Sequence, residues 1–93
     1  MKINSEVYDK VIDSVNVIVN GNLPVGMVFD KKDSVETNLN LNLTKLGMDS
    51  LDIIELSLEI EDVLLITLPM GVDKNWVTIR NVYESALSAV CDD

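Results

Sequence analysis

The sequence predicts an all-α fold, a small antiparallel four-helix bundle made of three main helices plus a short or irregular third helix, with a long first loop. Apolar residues recur at spacings of three and four in three separate segments, residues 7–18, 51–64 and 79–90. Strong breakers separate these segments: Gly21 and Pro24 after the first, Pro69 and Gly71 after the second. The chain has 93 residues, 47% of them hydrophobic, which is enough for one domain over residues 1–93 with one modest core.

The elements follow in order. Val7, Tyr8, Val11, Ile12, Val15 and Ile18 line one face of a first helix. Asn4 or Ser5 is its candidate cap, and Glu6 and Asp9 sit where the helix dipole favours acids. Its β-branched end (Val15, Val17, Ile18, Val19) weakens helical preference before Gly21 stops it. Residues 22–49 read as a long connection, with turns at 23–26 and 30–34. Within it the alternation Asn38-Leu39-Asn40-Leu41-Asn42-Leu43 is a strand signal by itself. No second strand is evident, so an extended loop laying its leucines on the core is expected, and loops of this length are often functional. A second long helix runs from Ser50 to about Leu65, residues 70–77 allow at most one irregular turn, and Thr78 caps a last helix carrying Ile79, Val82, Tyr83, Ala86, Leu87 and Val90.

Composition narrows the function. Sixteen acids against seven bases leave a net charge of −9, so phosphate backbones repel this chain and basic protein surfaces attract it. No nucleic-acid partner is expected. The absence of histidine removes the commonest general base and metal ligand. A single cysteine, Cys91, excludes an intramolecular disulfide framework and fits a reducing compartment; at a fraying helix end it reads as a plain exposed thiol. The longest apolar run, residues 63–70, is too short to span a bilayer, and the first residues lack a signal-peptide core. The expectation is a cytoplasmic monomer without membrane insertion, without a metal site and without catalytic residues of its own.

Residues 46–62 carry the specific information. Wound on a helix at about 100° per residue, Ile53, Leu56, Ile60, Val63 and Leu64 form the core face. Asp52, Glu55, Glu59 and Asp62 form a carboxylate stripe beside a second apolar stripe of Leu51, Ile54 and Leu58, with Ser57 and Glu61 separating that stripe from the core on its other side. Either a neighbouring element covers the second stripe, or it is a docking face with apolar anchors and steering carboxylates. Residues 46–73 hold seven acids and no base, a like-charge face that a partner's arginine or lysine would relieve.

Ser50 stands where this helix begins, after Gly47 and Asp49. Serine is a preferred N-cap, and that is one reading. The other is an exposed hydroxyl that accepts a phosphoryl-linked group, stabilised by free N–H groups and the positive end of the dipole. No histidine is present to activate it, so it reads as a substrate and not as a nucleophilic catalyst.

At these residues the chain resembles the acyl carrier proteins. Their signature, Leu-Gly-x-Asp-Ser-Leu-Asp followed by Glu-Leu and an acidic continuation, stands here as Leu46-Gly47-Met48-Asp49-Ser50-Leu51-Asp52, then Glu55-Leu56 and Glu61-Asp62. The match covers residues 40–69 well and extends loosely to Thr78-Ile79 and Val82. The resemblance implies that a phosphopantetheinyl transferase esterifies Ser50 with 4′-phosphopantetheine from coenzyme A, with Asp49 and Leu51 at the attachment site. The arm's thiol would hold acyl intermediates as thioesters for fatty-acid, polyketide or other specialised pathway enzymes. Asp52, Ile54, Glu55, Leu58, Glu59, Glu61 and Asp62 would be the docking residues for acyl-transferring or condensing enzymes with basic surfaces, and Leu56 and Ile60 lie where some relatives sequester acyl chains.

The chain also departs from that pattern. The first loop is longer. Asn42 stands where a large apolar residue is usual, and residues 69–76 lack the usual acidic run and contain Gly71 and Trp76, the latter read as a core or loop plug against a docking role. These departures point to a specialised carrier. Two alternatives remain at this level: a peptidyl, aminoacyl or D-alanyl carrier, whose serine more often follows Gly-Gly-His, and an unmodified acidic interaction domain that uses the same helix.

Overall fold

The computed structural model describes residues 4–19 and 35–91, with the backbone alone at Cys91. The elements are α1 (Ser5–Val19), α2 (Val35–Leu39), α3 (Ser50–Leu64), a 3₁₀ turn (Val72–Asn75) and α4 (Ile79–Cys91). The molecule is a small helical bundle, and no strand is present among the described residues. No described helix is long and apolar enough to cross a membrane. The expected turns at 23–26 and 30–34, the stop at Gly21 and the exposure of the Cys91 side chain lie outside the described residues.

Of the two candidate caps for α1, Asn4 takes the position: its Oδ1 accepts the Val7 N–H at 3.2 Å. Val7, Tyr8, Val11, Ile12, Val15 and Val19 are buried, so burial of Val15 and Val19 carries the helix through its β-branched end. Two tyrosine hydroxyls tie the helices together. Tyr83 in α4 accepts the Asn4 N–H at 2.9 Å, and Tyr8 accepts a proton from Asn38 Nδ2 at 2.9 Å.

The Asn–Leu alternation forms neither a strand nor a fully extended loop. Residues 35–39 wind one helical turn, closed by the Asn40 N–H on the Glu36 carbonyl at 3.2 Å. Asn38 is therefore buried, where the alternation had placed it outward. The leucines do reach the core: Leu39 and Leu43 are buried and Leu41 packs against them. Extended pairing survives at one point, an antiparallel bridge between Asn42 and Thr78. The Leu43 N–H donates to the Val77 carbonyl at 2.9 Å and the Ile79 N–H to the Leu41 carbonyl at 3.1 Å. The bridge straps the approach to α3 onto the start of α4, and the segment after α3 carries the chain back to it.

Residues 70–77 hold the one irregular turn expected of them. Gly71 takes the left-handed conformation at φ 80° that a side chain would disfavour. Trp76 is a buried plug, its Nε1–H donating to Ser85 Oγ at 2.9 Å. Thr78 caps α4, its Oγ1 accepting the Asn81 N–H, while Asn81 Oδ1 accepts the Val77 and Thr78 N–H groups at 2.9 Å each.

Candidate functional site

The turn before α3 explains why the motif reads as it does. Leu43, Leu46 and Met48 point into the core, while Gly47 and Asp49 stand outside. Asn42 Oδ1 accepts the Thr44 N–H at 2.9 Å, and the Leu46, Gly47 and Met48 N–H groups return to the Asn42, Thr44 and Leu43 carbonyls. A polar residue at position 42 thus builds a side-chain turn in place of an apolar packing contact. Gly47 closes the loop at φ 86°, a left-handed conformation unfavourable for residues with a Cβ. Three buried anchors and one glycine turn deliver the chain to the start of α3 at the surface.

Asp49, not Ser50, caps α3. Its Oδ1 accepts the Asp52 N–H at 2.9 Å, and the Asp52 carboxylate accepts the Asp49 N–H at 3.2 Å, a reciprocal capping box. The cap reading of Ser50 is thereby overturned. The spacing Asp49-x-x-Asp52 was the sequence signal for this box. Ser50 is the exposed first residue of α3, and its hydroxyl makes no hydrogen bond among the described residues. The N–H groups of Ser50 and Leu51 have no partner there either, as expected for the first turn of a helix. A hydroxyl, two open amide donors and the positive helix end suit a phosphodiester: charge is stabilised, and no buried group has to move.

Along α3 the three stripes separate as the winding predicts except at Val63, which was expected on the core face but is half-buried and stands apart from the core cluster, at the edge of that face. Leu56 and Ile60 are fully buried, and Ile53 and Leu64 pack on the core. Leu51, Ile54 and Leu58 are 68%, 45% and 59% exposed, so no described element covers the second apolar stripe. Glu55 and Asp62 are exposed, and Asp52 and Glu59 half-buried, along its flank. Glu61 is engaged outside its own helix: its Oε2 accepts the Leu68 N–H at 2.7 Å and holds the following loop. The contact was not readable from the helix pattern, because it joins residues seven apart across a chain reversal.

The chain matches the phosphopantetheine attachment site family over residues 29–85, more than half of its length. It belongs to that family. Its function is accordingly that of a phosphopantetheine carrier, the prosthetic group being held covalently, and such carrier domains are typically not catalytic themselves. A carrier of this kind is served by a phosphopantetheinyl transferase and by enzymes that act on its cargo. Nothing among curated proteins or solved structures matches the chain at a significant level.

Proposed function

We propose that Ser50 is the attachment residue and that the protein is an acyl carrier dedicated to a specialised pathway in the cytoplasm. The observation that carries this is the capping box: with Asp49 and Asp52 closing the helix on each other, the Ser50 hydroxyl is left exposed and uncommitted. In the transfer, Ser50 Oγ forms a bond to the phosphorus that carries the pantetheine arm of coenzyme A. The pyrophosphate link breaks, the adenosine half departs, and the hydroxyl proton goes to the transferase or solvent. The open N–H groups of Ser50 and Leu51 would hold the phosphodiester there. Acyl groups ride on the arm's thiol as thioesters.

In this reading, Leu51, Ile54 and Leu58 anchor basic partner enzymes, while Asp52, Glu55, Glu59 and Asp62 steer their approach. Glu61 contributes by fixing the loop beside that face. The acyl class of cargo is favoured over a peptidyl, aminoacyl or D-alanyl one by Met48-Asp49 in front of the serine.

Incubation with coenzyme A, magnesium and a broad-specificity phosphopantetheinyl transferase, followed by intact mass measurement, tests the attachment residue. The expected result is a gain of one phosphopantetheine that disappears in Ser50→Ala. Modification that persists in Ser50→Ala, or no gain where a control carrier is modified, would overturn the assignment.

A further inference from the structure

At the end of α3 away from Ser50, a groove of about 570 Å³ opens between the segment that follows α3 and the second half of α4. Leu65, Ile66 and Val72 form one wall, and Ser85, Ser88 and Ala89 the other. The small side chains of α4 leave the space unfilled, and no described residue occupies it. Its apolar rim is turned outward. Leu65 is 87% exposed and sits in the left-handed conformation at φ 55°, a strained backbone for leucine, and Met70 beside the groove is fully exposed.

The electrostatics at this end are one-sided. Glu84 lines the groove, and among the described residues no lysine or arginine does. The groove takes Leu65 to Thr67 from just past the end of α3 and Ser88 and Ala89 from the last turn of α4, so the negative poles of two helices meet there. Neither helix has a basic residue in its last turn to neutralise that pole. Asp62 is exposed within the last turn of α3.

We propose that this groove is a second docking surface, built for an amphipathic helix of a partner protein that carries lysine or arginine beside its apolar face. The apolar wall of Leu65, Ile66 and Val72 supplies the contact, and the two helix ends together with Glu84 supply the attraction for cations. α3 spans roughly 22 Å at 1.5 Å per residue, so a partner held here leaves the Ser50 end and the Leu51, Ile54 and Leu58 stripe open. The negative charge at the groove favours a cationic protein occupant over the carrier's own uncharged acyl group.

The test uses the full chain, in apo and phosphopantetheinylated forms. Two synthetic helical peptides share one leucine and isoleucine face; one bears lysines and arginines, the other glutamates. Trp76, the single tryptophan, reports on the groove through its bond to Ser85, and amide NMR shifts locate the contact. The basic peptide is expected to bind both forms equally, shifting Leu65, Ile66, Ser88 and Ala89. Glu84→Lys weakens it by on the order of threefold to tenfold, and Ala89→Phe, which fills the groove, removes it. Ser88→Lys, at an exposed position, gives the same loss by repulsion should Ala89→Phe perturb folding.

Equal binding of both peptides, absence of binding, or shifts confined to Leu51, Ile54 and Leu58 would overturn the proposal. So would dodecanoate taking the groove in place of the peptide, concentration-dependent self-association that Ala89→Phe abolishes, or groove variants that move the resonances of residues 20–34 without peptide. A failure of Ser50 modification leaves this result unaffected, because the apo form is expected to bind equally well.

Discussion

Glu61 holds the backbone of Leu68: its Oε2 accepts the Leu68 N–H at 2.7 Å, across the reversal that follows α3. Leu68 is buried, so this amide has little access to water, and the carboxylate satisfies a donor that would otherwise be stranded. An acid that belongs by sequence to a docking ridge therefore also serves as a loop tether.

The first expectation follows from that bond. Glu61→Ala should cost about 1–3 kcal/mol, the loss of a charge-assisted bond to a buried amide. Glu55→Ala, at an exposed position of the same helix, should stay within about 0.5 kcal/mol. Urea melts of the two variants check the contrast; equal costs would remove the tether role.

Asp49→Ala removes the side-chain half of the capping box, the bond from the Asp52 N–H, and leaves the backbone N–H of residue 49 free to donate to the Asp52 carboxylate. The expected cost is about 1 kcal/mol, and for a domain of this size that lowers the melting temperature by about 4–8 °C. Asp49→Asn retains an acceptor and should recover most of the loss. Thermal unfolding followed by circular dichroism distinguishes the two.

The stripes of α3 should separate by stability. Leu56→Ala removes a fully buried side chain and should cost about 2–5 kcal/mol, whereas Leu58→Ala, 59% exposed, should fall within about 0.5 kcal/mol. A large destabilisation from Leu58→Ala would mean that something covers the second stripe after all.

Reversing Glu55 and Glu59 to lysine should slow association with a partner enzyme by on the order of tenfold at low salt, and the difference should shrink as salt rises. Stopped-flow binding at two ionic strengths measures this. An unchanged association rate at low salt removes the steering role from the acidic flank.

Leu65 ends α3 in the conformation that glycine usually supplies. Leu65→Gly should therefore raise stability by about 0.5–1 kcal/mol by relieving the left-handed strain, even though it deletes a large apolar side chain that is already in water. A destabilised variant would show that Leu65 packs against something in solution.

Much of the site could be read directly from residue order. The winding of residues 51–64 separates Leu56 and Ile60 from Leu51, Ile54 and Leu58 because a regular helix converts spacing into direction. The motif around Ser50 was legible for the same local reason. Three features were not. The cap fell to Asp49 and not to Ser50; the Asp49-x-x-Asp52 spacing carried a signal for it, but two adjacent cap-forming residues competed and backbone geometry decided. Residues 35–39 became a helical turn because Leu39 reaches the core that way and Asn38 meets Tyr8, a partner thirty positions distant. The groove beside Ser85 and Ala89 depends on how far a returning loop stands from α4, which no local pattern encodes.

By itself the amino-acid order determined three helices, one irregular turn, an acidic face and the motif around Ser50, since each depends on contacts within a few residues along the chain. Tertiary structure decided which surfaces stay open. It left the second stripe of α3 uncovered, assigned Glu61 to a loop amide, and brought the ends of α3 and α4 to one unfilled groove. These outcomes depend on long-range packing and on the volume of side chains that meet only once the chain has folded.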